Sequence, residues 1–415
     1  MAARNGRRKK PNSRTNQQPD YEAICQLADG TGVLNGFERL GPINQFTDLL
    51  LPQNNTDPAM RLAAEQIFHM IEGWRYAASA TAAYLSNSKH NSVHFSYYAE
   101  LRAALSLLSW SGIRVRQGDH YYLDGQNTKI AIGSCRTHTA VWAFWQHWTN
   151  RADANSLFRN KIRFAPSVAL ADVLASLQYI QPHAALQNWG IDLAKIKDDH
   201  NARNTSSYEA IWATTPLTRM NANDAELILS LWDLILPSEG SGLRFDSALI
   251  SHFVQAALPG MMQITGKNQS QITVDIAKNI SQNTGADYDI ILRRLNPALY
   301  NTTPFSLAAS VDTNPENVMC RAFFLLRLSM LAVKSSLSSV TNTATTQWLS
   351  NWLEHAGLWQ EDPNILPEDI PIDYENAIGS IDVSGSLPFD IWLPNNLENT
   401  ARLVRPDACL VWNVL

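Results

Sequence analysis

The sequence predicts a mainly α-helical, bundle-like fold with a small antiparallel β insertion in its N-terminal half. Three observations carry this expectation. Apolar residues recur at helical spacing in long stretches, clearest at Met60, Leu62, Ala63, Ile67, Met70, Ile71 and Trp74. Short β-type runs separated by turn residues occur between Ile113 and Ile132. The composition, 45% hydrophobic with 13 Trp and only 17% charged residues over 415 positions, supplies a large aromatic core.

Taken in order, residues 1–19 are basic and polar with no apolar period, and are expected to be a disordered arm. From Tyr21 the chain becomes globular, with short helical pieces broken by Gly and Pro. Asp57 is the expected N-cap of a long helix, with Pro58 at its first position. The polar run from Leu85 to Ser92 reads as a loop. A second helix spans Val93 to Trp110 and stops at Ser111-Gly112. Ile113 and Val115, Tyr121–Leu123 and Thr128–Ile132 then read as two or three strands joined by turns at Gln117-Gly118-Asp119 and Asp124-Gly125. Thr137–Thr149 is an aromatic-rich helix. Beyond 151 helices are expected at Val168–Leu177, Ala225–Leu236, Ser247–Leu258, Gln271–Ile280, Ala286–Leu295, Glu316–Val340 and Thr345–Ala356. Glu361–Glu375 has six acids and no base, and its prolines 363, 367 and 371 suggest an extended acidic connector. Ala408–Leu415 reads as a buried terminal strand or docking segment. The expected divisions are an arm at 1–19, a helical domain with the β element at 20–160, a helical domain at 161–360, and a connector with docking segment at 361–415.

The net charge of -5 hides two opposed parts. Arg4, Arg7, Arg8, Lys9, Lys10 and Arg14 give the arm six bases and no acid. The remaining chain holds 27 bases against 38 acids, a balance near -11. This excludes a uniformly basic nucleic-acid binder and a wholly disordered chain, and restricts phosphate contact to the arm or a local patch. Cys25, Cys135, Cys320 and Cys409 lie far apart without a CxxC pair, so four reduced thiols in a cytoplasmic protein are expected. No signal-peptide pattern is visible. The most apolar stretch, Met319–Val333, is too short for a bilayer and carries Arg321 and Arg327, so it reads as a buried core helix and no membrane contact is expected.

Few motifs carry chemistry. Gly260–Asn268 misses the phosphate-loop spacing by one residue and has Asn268 where Ser or Thr is required. Gly30-Thr31-Gly32 with Gly36 reads as a turn, and Gly240-Ser241-Gly242 lacks the outer glycines of a nucleophile elbow. His90 and His94 are four apart, and His120, His138, His147 and Asp119 follow. With His90 in a loop these do not make a metal site, so no metal and no cofactor are expected. Arg114 and His120 have the spacing of the Arg–His pair in HEPN-type ribonucleases, but fall on a strand and turn rather than a helix. Arg136 and His138 sit at a helix start, where they either bind an anion or form a polar cap. Buried Arg321 and Arg327 require acids such as Asp233 or Glu354.

Phe95–Ile113, FSYYAELRAALSLLSWSGI, and His120–Trp148, with HYYLDG and the TH-x2-VW pattern at Thr137, His138, Val141 and Trp142, occur in the order helix, small β element, helix. This combination, with the run Arg321–Ala332, resembles a group of uncharacterised bacterial proteins from mobile or defence-related gene neighbourhoods. The resemblance covers about a third of the chain and carries no reaction. It implies a binding or assembly component of a bacterial antiviral defence system, with RNA or DNA contacted through the arm and a protein partner or homo-oligomer on the aromatic body. Two other readings stand beside it. One is a metal-independent, HEPN-like ribonuclease using Arg114 and His120 or Arg136 and His138. The other is a viral coat protein holding its genome with the basic arm. A shared site is expected between the two helices, from Tyr97, Tyr98, Glu100, Arg102, His120, Arg136 and His138. Glu100 and Arg102, two apart, must face different directions.

Overall fold

The Asp57 carboxylate accepts the Ala59 amide at 2.8 Å, and Pro58 follows where a helix needs no amide donor. These two residues open the longest helix of a computed structural model that describes residues 18–40, 57–177, 193–209, 222–238, 242–359, 369–381, 391–392 and 396–414. The basic arm up to residue 17 lies outside them. Two short helices, α1 (Tyr21–Leu27) and α2 (Thr31–Arg39), precede the long helix α3 (Pro58–Leu85). The expected turn at Gly30–Gly36 is therefore the start of α2. A three-residue reversal with Asn87 in the left-handed region leads directly into α4 (Lys89–Trp110). The loop is thus shorter than the polar run suggested. The Ser92 amide already bonds the Ser88 carbonyl, so His90 lies on the helix and not in a loop. A Ser/Asn-rich first turn is compatible with a helix because these side chains tolerate the open end.

Ile113–Arg114 (β1), Tyr121–Leu123 (β2) and Lys129–Ala131 (β3) form the expected antiparallel sheet, with Ile113 opposite Tyr122 and Tyr122 opposite Ile130. The helices α5 (Thr137–Trp148) and α6 (Ala152–Lys161) follow. A second, unexpected hairpin comes next, β4 (Arg163–Ala165) with β5 (Val168–Ala169). Val168 and Ala169 therefore belong to a strand, and the helix expected there starts later, as α7 (Leu170–Leu177), with Asp172 accepting the Ala169 amide. Two or three residues per strand are too few to show a period of two.

The remaining helices are α8 (Leu193–Tyr208), α9 (Ala222–Ile235), α10 (Arg244–Thr265), α11 (Gln269–Thr284), α12 (Tyr288–Arg294), α13 (Thr303–Ala309), α14 (Pro315–Ser338), α15 (Ala344–His355), α16 (Ile370–Gly379), α17 (Leu397–Leu403) and α18 (Cys409–Val414). With 73% helix and two small antiparallel sheets among the described residues, the chain is mainly α with a small β element. Three local expectations change. Helix α10 runs through Pro259, which is exposed, so the lost backbone bond costs no buried donor. Pro371 does not prevent a helix, because it stands in the first turn of α16; the rest of the expected connector before 369, residues 361–368, lies outside the described residues. The chain end is a docked helix and not a strand: the Trp412 indole donates to the Ile235 carbonyl at 2.9 Å.

Helices α3, α4 and α14 pack most extensively on one another and form the centre. Gly73 permits the approach, since a Cβ there would lie 2.6 Å from Leu326 Cδ2 and 3.3 Å from Arg102 Cβ. Helix α14 is apolar on all sides and is buried from Asn317 to Val333. Its two arginines are paired, but with other acids than expected. Arg327 holds Asp246 and Arg321 holds Asp199, while Asp233 binds Arg244. Buried apolar residues from Cys25 to Val414 form one contiguous cluster across position 160. All four cysteines are unpaired. No helix among the described residues is long and apolar enough to cross a membrane.

Candidate functional site

Helices α4, α5 and α8 converge on one cluster of rings. On α4, His94, Tyr97 and Tyr98 are spaced i, i+3, i+4 and share a face. His138 and Trp142 do the same on α5, and His200, Arg203 and Ser207 on α8. The Trp142 indole donates to the Tyr97 oxygen at 3.1 Å, and that oxygen lies 3.0 Å from His138 Nδ1. Indole only donates, so the Tyr97 oxygen accepts there, and it either gives its own proton to a bare Nδ1 or accepts a second bond from Nδ1–H. With Tyr97 donating, neutral His138 carries its proton on Nε2. The His138 and His200 rings lie nearly parallel with centroids 5.6 Å apart, and Tyr97 is 5.4 Å from His200. Arg203 lies over the Tyr98 ring at 5.0 Å and the exposed Tyr208 ring at 5.5 Å, donating to the Tyr98 hydroxyl and to Asn204 Oδ1. No carboxylate of the described residues pairs with it. His94 Nδ1 is 2.7 Å from Ser207 Oγ.

Burial pushes His94, His138 and His200 below the usual histidine range. Arg203 lowers all three further, and His138 also feels His200 and Arg102. The imidazoles are therefore neutral near pH 7, beside a guanidinium that pairs with no acid among the described residues. Directly beneath, Glu100, Asp199 and Arg321 are buried together. Arg321 grips Asp199 with two bonds of 2.6 and 2.5 Å and lies 3.9 Å from Glu100. Burial, and then the neighbouring Asp199 carboxylate, drive the Glu100 carboxyl well above its ordinary range. A protonated Glu100 leaves one acid charge for one arginine, which balances the buried cluster. The neighbouring residues Asp199 and His200 tie this clamp to the ring cluster.

The structure brings together Tyr97, Tyr98, Glu100 and His138 of the expected residues. It separates the others. Arg102 turns to His69 and Glu72, both at 3.1 Å. Arg114 is buried, with bonds of 2.8 and 2.5 Å to Glu65 and a further one to Asp119. His120 gives Nε2 to the Cys135 carbonyl at 3.0 Å. Both are occupied as parts of the β1–β2 support, which suits structure and not proton transfer. Arg136 is the exposed N-cap of α5 and makes no side-chain cap bond, while His138 points to Tyr97. The near-phosphate-loop run is two helix ends: Gly266 closes α10 and Asn268 caps α11 in a reciprocal box with Gln271. His147 lines an open cavity of about 520 Å³ with Cys25 and Arg151. The Cys25 thiol is pushed up to about 12, first by burial, so it is no nucleophile there. Among the described residues no three His, Cys, Asp or Glu side chains converge as a metal-ligand set.

His200 and Arg203 are the site residues that sequence reasoning missed. Their segment, LAKIKDDHNARNTSSY, has no apolar stripe to mark a helix. The arrangement offers ring faces for stacking, an unbalanced guanidinium for an anion, and two neutral imidazoles for proton transfer. Compared with protein-family models, with curated proteins and with solved structures, the chain matches none.

Proposed function

We propose that this chain is a nucleic-acid-binding component of a bacterial antiviral assembly and that it takes a single strand on the α4–α5–α8 face. The observation that carries the reading is Arg203. It stacks on Tyr98, lies among three neutral histidines, and has no acid partner among the described residues. A phosphate supplies the missing negative charge, and bases stack on exposed aromatic faces such as Tyr208. The basic arm adds a sequence-independent, salt-sensitive contact. The defence role rests on the YYAELRAA and TH-x2-VW resemblance.

Fluorescence anisotropy with labelled single-stranded RNA and DNA tests the binding. Arg203→Ala should weaken affinity about tenfold at low salt and lower the slope of log K against log salt by about 0.7, the contribution of one phosphate contact on a single strand. Deleting residues 1–19 should flatten the dependence of log K on log salt by up to about four, six charges at ~0.7 each. No binding by the intact chain at low salt rejects the reading. Phage challenge of bacteria expressing the protein, with Arg203→Ala as the comparison, tests the defence role; equal plaque counts with and without the protein reject it.

A further inference from the structure

We propose that His138 and His200 cleave bound RNA by proton transfer during attack of a ribose 2′-oxygen on the adjacent phosphodiester, with Arg203 holding the phosphate. This rests on the nucleic-acid reading above and adds a reaction to it. Two rings 5.6 Å apart and nearly parallel leave their edges able to address opposite sides of one phosphate. Their partners assign the roles. Neither nitrogen of His200 has a hydrogen-bond partner among the described residues, so its lone pair is available as the base. His138 Nδ1 is held by Tyr97, so in protonated His138 the Nε2–H is the proton left to act as the acid.

The balance is complete without a further reactant. His200 takes the 2′-hydroxyl proton as the 2′-oxygen bonds to phosphorus. The P–O5′ bond breaks, and the leaving oxygen takes the Nε2 proton of protonated His138. His138 is left with its proton on Nδ1, donated to the Tyr97 oxygen, which accepts from Trp142 as well. The products are a 2′,3′-cyclic phosphate and a 5′-hydroxyl. Arg203 lies opposite the charge that develops on the phosphoryl oxygens.

Tyr97 and Tyr98 of α4 contact the pair, with His94 across Tyr98, and the charges that act on it are Arg203 of α8 and, on His138, Arg102 of α4, whose side chain is itself turned to His69 and Glu72. Glu100 and Asp199 lie beneath, tied to Arg321 of α14. Burial, and then the cationic neighbours, hold both imidazoles below 6.5. Activity needs one of the two protonated, so kcat/KM against pH should be a bell centred on the acid side of 6.5.

The test uses the full chain, a labelled single-stranded RNA, chelated metal ions, and anisotropy beside product analysis. Expected are cyclic-phosphate ends and a loss of about 100-fold or more in rate for His138→Gln and for His200→Gln, with binding kept within a few-fold. A single 2′-deoxy nucleotide should stop cleavage at that position and leave binding unchanged. RNA that binds but stays intact across pH 4.5–8 overturns the reaction and leaves the binding reading standing. Absence of binding overturns both. Cleavage that persists in both glutamine variants, or that gives 3′-hydroxyl ends, overturns the assignment.

Discussion

Glu100 and Asp199 show how much a single side chain decides. Both are buried, and one arginine serves them. Glu100→Gln keeps the shape and the neutral state that burial imposes, so its stability at pH 7 should stay within about 1 kcal/mol of the parent. Asp199→Asn removes the carboxylate that Arg321 grips and strands a buried charge, at a cost of about 3–5 kcal/mol. Urea denaturation of the two variants checks this; equal losses would show that Glu100 is ionised. The sequence made part of this legible. Arg321 in an apolar helix demanded an acid, but Asp233 and Glu354 were as eligible as Asp199. Likewise Glu100 and Arg102 were expected to diverge from their spacing, and they do, toward Asp199 and toward His69.

Helices α3, α4 and α14 were readable because each carries a long apolar pattern, but only α3 has a side-chain cap that marks its start, and α4 begins four residues before the expected Val93. Helix α8 was not, because it is polar along its length and is held by pairs of groups on other helices: Asp199 by Arg321, His200 by Tyr97 and His138, Arg203 by Tyr98. Where a cap is local it was legible at Asp57 and overlooked at Asn268, whose role emerges from the reciprocal bonds with Gln271 at 3.0 and 3.1 Å. Both residues are exposed, so Asn268→Ala isolates the cap. It should cost about 1 kcal/mol with an unchanged m-value in urea unfolding. A change below ~0.3 kcal/mol would mean that α11 is held by its apolar face alone.

For the whole molecule, pH dependence follows from which groups the core keeps neutral. His69, His94, His138, His200 and His252 are all lowered, first by burial. Their unfolded forms bind protons below 6.5 while the folded forms do not, so stability falls as pH drops through and below that value. Asp119 is lowered by Lys129, Arg114 and Arg61 against the effect of burial, and its contribution is lost only as pH falls below 3.8. Glu100 acts in the opposite sense. Its raised carboxyl contributes stability that is full below 4.5 and is lost as pH rises toward the folded-state value. Thermal unfolding from pH 8 to 5 should therefore show a falling Tm, with a steeper fall in Glu100→Gln, which lacks the opposing group. Each fully titrating histidine adds up to ~1.4 kcal/mol per pH unit. A Tm that is flat over this range contradicts the neutral-core account.

Local patterns in the chain determined the helical class, the β insertion and the long central helices, because caps, turns and apolar periods act over a few residues and leave their mark in order along the sequence. The family of polar and ionic pairings was decided only in three dimensions. Arg321 meets Asp199 across 122 positions, Gln66 meets Ser336 across 270, and His138 and His200 become neighbours through a helix with no apolar stripe. Charges and rings select partners by distance and burial, and neither is written in sequence spacing, so the candidate site came into view only when α4, α5 and α8 were placed together.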